Sequence, residues 1–336
     1  ICDGTSLGKI DVQGTDAAAF LNKVYCNGFA NLPVGKVRYG LMLREDGHVM
    51  DDGTTACLGD GHYVMTTTTA AAGAVMKHLE FVRQGLRPDW DVHLTSVTEQ
   101  WAQFAVAGPK ARDLLNQLLD SPIDDAAFPF MACGSVQIGG VAGRLFRISF
   151  SGEHAYEIAV AARYGDALFR LLVSQAEAMD GGAYGMEALN VLRIEKGFIT
   201  HAEITGRVTA FDIGMDRMVS TKKDCIGKAM SRRPGLLEPT RERLVGLKPV
   251  DGGELTAGAH LYPIGEKAVP EADQGYVTSV GYSPTLGHFL GLGFVASGPE
   301  RLGEELRMVD ALREVETRVV VCDPVFVDPD GGRVRG

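Results

Sequence analysis

With 336 residues, 45% of them hydrophobic and 23% charged, the chain is too long for one ordinary core and has the composition of a globular protein of two or three domains. Its net charge of −10 argues against nucleic acid or an anionic membrane surface as a partner, because phosphates need a basic face. No apolar run reaches the roughly 18 residues needed to span a bilayer.

The chain starts at Ile1, without a methionine and directly before a strand pattern, and is expected to be a piece of a longer polypeptide with no secretory leader. Gly8 to Val24 (GKIDVQGTDAAAFLNKV) reads as an alternating strand, a tight turn at Gly14 and an amphipathic helix. Arg38 to Met42 and Val49 to Leu58 read as a hairpin around Glu45-Asp46-Gly47, followed by a strand from His62 to Thr67 and a helix from Ala70 to Val82. Ala102 to Leu118 (AQFAVAGPKARDLLNQL) then repeats the first unit, with Gly108 at the turn and Pro109 in the first turn of the helix. The apolar positions Ala17, Phe20, Leu21 and Val24 match Ala111, Leu114, Leu115 and Leu118, which suggests two related α+β lobes.

Strands are expected at Val136 to Ile138, Gly143 to Phe150 and Tyr156 to Val160, and helices from Gly165 to Ala178 and from about Gly185 to Lys196. Residues 1–230 are thus expected to form two interleaved lobes, and 231–243, polar and rich in proline, a linker. Residues 244–336 carry short strands with frequent Gly and Pro, the pattern of a small β-barrel.

Several motifs fail. Gly291-Leu-Gly293-Phe-Val-Ala296 fits GxGxxA but is flanked by strands instead of a strand–turn–helix unit. His201-Ala-Glu203 resembles half of a zinc deaminase signature whose PCxxC half is missing. Cys2, Cys26, Cys57, Cys133, Cys225 and Cys322 stand apart and are expected as reduced, mostly buried thiols of a cytoplasmic protein. No metal site is expected.

Two places carry candidate chemistry. Asp51 and Asp52 lie mid-strand, where Asp is disfavoured; alternation sends one inward and one outward. The inward one is a candidate proton acceptor for a ligand amine; the alternative is a hairpin-end pair that caps backbone amides. Glu157 opens the strand after Ser151-Gly-Glu153-His-Ala-Tyr156 and can point to a cleft. The helix bearing Asn190, Arg193 and Lys196 reads, taken alone, as a surface helix with solvated ion pairs.

In order along the chain, VRYGLMLREDGHVMDDGTTACL, FRISFSGEHAYEI, YGMEALNVLRIEKGF and GYVTSVGYSPTLG resemble the aminomethyltransferase (glycine cleavage T-protein) family, over nearly the whole length. YVMTTTT, TSVTEQWA, FPFM and VLRIEKGFI most resemble the branch formed by the C-terminal module of heterotetrameric sarcosine oxidase α subunits. The resemblance implies a three-domain cloverleaf of two α+β lobes and a barrel around a folate site. It also implies a dinucleotide-binding half before Ile1, a flavin on a partner β subunit of a hetero-oligomer, and transfer of the one-carbon product of sarcosine oxidation to tetrahydrofolate, giving 5,10-methylenetetrahydrofolate.

By the same resemblance Asp52 is the catalytic acid–base group. Glu157 grips the pterin edge, Tyr39 lines the ring pocket, and Asp51 and Arg193 complete the site. Leu189 stands where the family has an arginine for the folate tail, so tail recognition differs. Other members imply two alternatives: transfer or demethylation with another donor, and a non-catalytic folate-binding scaffold of the iron–sulfur assembly kind. Lys223-Asp-Cys225-Ile-Gly-Lys228 only faintly echoes the motif of that scaffold.

Overall fold

The computed structural model describes residues 1–336. It is an α+β structure of two lobes and a closed barrel. One antiparallel sheet runs in the order Val37–Leu43, Val49–Gly59, His62–Thr67, Gly8–Gln13, His93–Ser96. The second runs Cys2–Asp3, Trp101–Ala107, Ala155–Ala161, Val141–Phe146, Cys133–Ile138.

Strand alternation sets the layers. Ile10 and Val12 turn outward onto the helices Ala17–Val24 and Ala72–Phe81, where they meet Phe20, Leu21, Val75 and Leu79. Phe104, Val106, Ile158 and Val160 do the same in the second sheet, against Leu114, Leu115, Leu168 and Leu172 of the helices Ala111–Asn116 and Gly165–Glu177. The opposite faces meet each other: Val37, Ala56 and Val64 of one sheet pack on Cys133, Phe146 and Ala159 of the other. The order is therefore helix, sheet, sheet, helix.

The two repeated units fold alike, strand then turn then helix, with Gly14 at φ 131° and Gly108 at φ 122°. A side chain at Gly14 is doubly excluded, since a Cβ there lies 2.0 Å from the Asp91 carbonyl oxygen. Pro109 sits just outside its helix, before the N-terminal flanking residue Lys110, because the chain is still turning there. The expected helix from Ala70 is instead a 3₁₀ turn, an α-helix Ala72–Phe81 and a π-helical turn Val82–Leu86.

The barrel closes in the order Glu242–Pro249, His288–Ala296, Gly275–Ser283, His260–Pro263, Glu305–Asp310, Val315–Cys322. Leu247, Leu261, Val277, Leu306 and Val319 fill it. A further core joins lobe to barrel: Leu41, Leu43 and Val49 pack with Ile194, Val208 and Leu292.

Candidate functional site

The inner face of the first sheet is shared between two cores. Val37 belongs to the layer between the sheets and Leu41 to the core under the barrel, so Tyr39, which alternation puts on the same face, lies between them. Asp52 pairs with Leu41, and Thr54 with Tyr39. The Tyr39 hydroxyl donates to Asp52 Oδ2 at 2.6 Å and lies 3.9 Å from Met215 Sδ. Both side chains keep partial exposure although they face inward. Burial pushes the Asp52 carboxyl above the usual aspartate range, and the Tyr39 hydrogen bond only partly opposes it. Burial, then the neighbouring Asp52, raises the Tyr39 phenol well above its ordinary value.

The row continues along the same face. Thr54 and Thr66 hydroxyls are 3.0 Å apart, and Thr66 pairs with Lys9. Lys9 and Gln103 both line a narrow cleft between the sheets, of about 20 Å³. Across it, Glu157 shares a face with Ala159, is half-buried, and accepts from Gln103 Nε2. Burial raises its carboxyl; Gln103 and the Lys9 ammonium pull it back. Asp52 and Glu157 therefore lie on facing sheets, each at the margin of the layer between them.

Asp51 lies apart from this row. It shares the face of Met42, is buried, and accepts the Thr68 backbone N–H at 3.1 Å. Of the two readings of the Asp pair, Asp51 is the amide cap. Burial pushes it up to about 6. Its folded value thus exceeds the ordinary 3.8, so the folded state binds the extra proton between these values and stability falls as pH rises from about 4 to 6. Asp51→Asn is expected to remove that loss, on the order of 3 kcal/mol across the window. Urea denaturation of both proteins at pH 4 and pH 7 checks it: an unchanged difference between them at the two pH values refutes the assignment.

Arg193 departs from the expectation of a ligand contact. It is 2% exposed, and all five N–H donors are spent inside the protein: on Asn190 Oδ1 twice, Phe198 O, Ser279 Oγ and Glu203 Oε2 at 3.0 Å. The solvated helix is likewise corrected. In Met186–Glu195 and the residue beyond it, buried Glu195 accepts from buried Ser283 Oγ at 2.5 Å and buried Lys196 pairs with half-buried Asp328 at 2.9 Å, because the helix lies on the barrel strand Gly275–Ser283. Its outer turn, with Glu187 and Met186, is exposed, and Leu189 is half-buried.

Glu203 was missed as a structural anion. It is fully buried and also accepts from Thr200 N–H at 2.8 Å, Thr278 Oγ1 at 2.6 Å and Ser279 Oγ at 2.6 Å. Lys9 and Gln103 were missed too. The available signal was a lysine alternating with Ile10 and Val12 in GKIDV, and a glutamine inside an otherwise apolar strand.

The family described as the GCVT N-terminal domain matches residues 1–223, and the glycine cleavage T-protein C-terminal barrel domain matches residues 242–328. The sarcosine oxidase subunit alpha of Rhizobium meliloti (strain 1021) is 50% identical over 339 residues, covering 100% of this chain and 34% of that protein. That of Corynebacterium sp. (strain P-1) is 41% identical over 342 residues, 99% of this chain and 35% of that one. The chain thus spans about a third of the length of these curated relatives. An aminomethyltransferase of Geobacillus sp. (strain WCH70) is 29% identical over 319 residues, 94% of this chain and 82% of that one. The solved glycine cleavage system aminomethyltransferase T from Bartonella henselae has the same fold, with a TM-score of 0.82 at 23% identity over 98% of this chain and 86% of that one. With matches that take in both sheets and the barrel, the chain belongs to the glycine cleavage T-protein family.

Proposed function

We propose that this chain binds tetrahydrofolate between its lobes and passes a one-carbon unit to it. The single observation that carries the reading is the pair of weakly compensated carboxylates, Asp52 and Glu157, on the facing surfaces of the two sheets, each next to a residue of the layer between them (Thr54 and Gln103). Tetrahydrofolate, when bound, supplies the ring and bridging nitrogens that take up the one-carbon unit. The residues suit it: Glu157 has one protein donor and a free oxygen for a neighbouring N–H pair, and Tyr39 gives a flat aromatic face beside Asp52.

Asp52 takes the proton lost as the new C–N bond forms, and its raised proton affinity suits that task. Glu157 fixes the pterin and hence the distance to Asp52. The donor is the one-carbon product of sarcosine oxidation, and the product is 5,10-methylenetetrahydrofolate, a reading supported by two relatives named sarcosine oxidase subunit alpha. The flavin and dinucleotide of such an oxidase belong to the remainder of the longer polypeptide or to partner subunits of a cytoplasmic hetero-oligomer. Arg193, with no donor to spare, acts by holding the helix Met186–Glu195 on the barrel.

Anaerobic calorimetric titration with tetrahydrofolate tests the reading. Binding is expected for the wild type, and Glu157→Ala is expected to weaken it by about 10²-fold, the loss of charge-assisted hydrogen bonds worth roughly 1.5–3 kcal/mol each. Tight binding retained by the variant removes the pterin assignment.

A further inference from the structure

Resting on that reading, we propose that Glu157 is one part of a three-residue reader: Gln103 sets the orientation of its carboxylate and turns a second acceptor to the ligand, and Lys9 balances its charge. Both are positioning residues in this scheme.

Gln103 is 3% exposed, and its Nε2 is the sole protein donor to Glu157, at Oε2. An ionised carboxylate only accepts, so the amide nitrogen must face it and the amide carbonyl must face away. No protein donor reaches that carbonyl oxygen, and Gln103 lines the cleft. Gln103 lines the cleft and holds Glu157 beside it through the Nε2–Oε2 bond, which leaves two neighbouring acceptors without a protein donor, Glu157 Oε1 and Gln103 Oε1. Such a pair selects a ligand edge with adjacent N–H groups and rejects one that places a lone pair there.

Lys9 is 2% exposed and donates to the Thr5 and Leu7 carbonyls at 2.9 and 3.0 Å. An ammonium has three donors, so one is left over. Lys9 shares the face of Thr66 and lines the cleft with Gln103. The charged groups around it are Glu157, Asp3 and Glu99, with Arg144 lining the same cleft but paired with Asp11 at 3.8 Å; Lys9 is the one cation acting on Glu157, with Cys2 and Tyr184 the other titratable groups nearby. A half-buried carboxylate whose only protein hydrogen bond is neutral depends on such a charge to stay ionised.

The test is calorimetric titration of the full chain with tetrahydrofolate from pH 6 to pH 8. Wild-type affinity is expected to be flat over this range. Gln103→Met is expected to raise Kd by about 10-fold at every pH. Lys9→Met is expected to raise Kd by a further factor of about 10 as pH falls from 8 to 6, because Glu157 then takes up a proton, and Lys9→Arg is expected to restore the flat profile. A purely structural role for Lys9 gives no such pH slope and no rescue.

If the wild type binds and Glu157→Ala weakens it, yet Gln103→Met stays within about twofold and Lys9→Met shows no slope, the reader is refuted while the folate reading stands. If the wild type does not bind, both fall. Should Lys9→Met not fold, as judged by its melting curve, Gln103→Met and Lys9→Arg decide: wild-type affinity in the first or a pH slope in the second overturns the proposal.

Discussion

Replacing Asp52 by alanine is expected to slow one-carbon transfer by about 10²–10⁴-fold, the usual worth of a positioned acid–base group, with tetrahydrofolate affinity within a few-fold of wild type. Rate and affinity separate because the two carboxylates sit on different sheets. Glu157 and Gln103 belong to the second, while the Asp52 side chain is hydrogen-bonded by Tyr39, whose hydroxyl also lies 3.9 Å from Met215 Sδ. The group must be ionised to accept a proton, and burial raises its value, so activity is expected to fall on the acid side at a pH above that of an ordinary aspartate. Removing Tyr39's hydroxyl with Tyr39→Phe takes away the bond that holds the value down, and should move the acid limb to higher pH. Single-turnover rates against pH for the three proteins decide the matter. Unchanged product formation by Asp52→Ala excludes it as the base.

Arg193→Met is expected to cost about 3–5 kcal/mol of stability, because it strands Glu203, a carboxylate with no exposure, without its cation. Removing both charges, as Arg193→Met with Glu203→Leu, is expected to cost less than the sum of the singles, since no unpaired ion remains. Thr200, Thr278 and Ser279 would lose an acceptor in the double variant, so some loss persists. Urea unfolding of the two singles and the double gives the coupling. A single-variant loss below about 1 kcal/mol refutes the buried-pair account.

The elements with strong alternation or helical spacing were legible in the sequence: the two strand–turn–helix units, the hairpin after Val37 and the strand-rich C-terminal region that closes as the barrel. Cys2–Asp3, His93–Ser96 and His260–Pro263 were not, because two to four residues are too few for alternation to show. Of the site, Asp52 stood out because Asp is disfavoured in mid-strand, and Glu157 because it opens a strand and can point to a cleft; the role of each came from the family resemblance. Gln103 did not, since it became polar-in-place only once its strand was paired with Glu157's. The reading of Arg193 as solvated failed for a related reason. Helical spacing brings Asn190 and Arg193 to one side, but nothing local states that the barrel strand Gly275–Ser283 will lie there with Ser279.

The first residues cross from one lobe to the other. Cys2–Asp3 pairs with Trp101–Ala107 at the edge of the second sheet, and five residues later Gly8–Gln13 enters the interior of the first. A short stretch of backbone is therefore a hinge with no slack, stapling two sheets whose other strands are each built from one run of sequence. Completing the second sheet requires segments about a hundred residues apart to meet, a non-local pairing of the kind that slows folding.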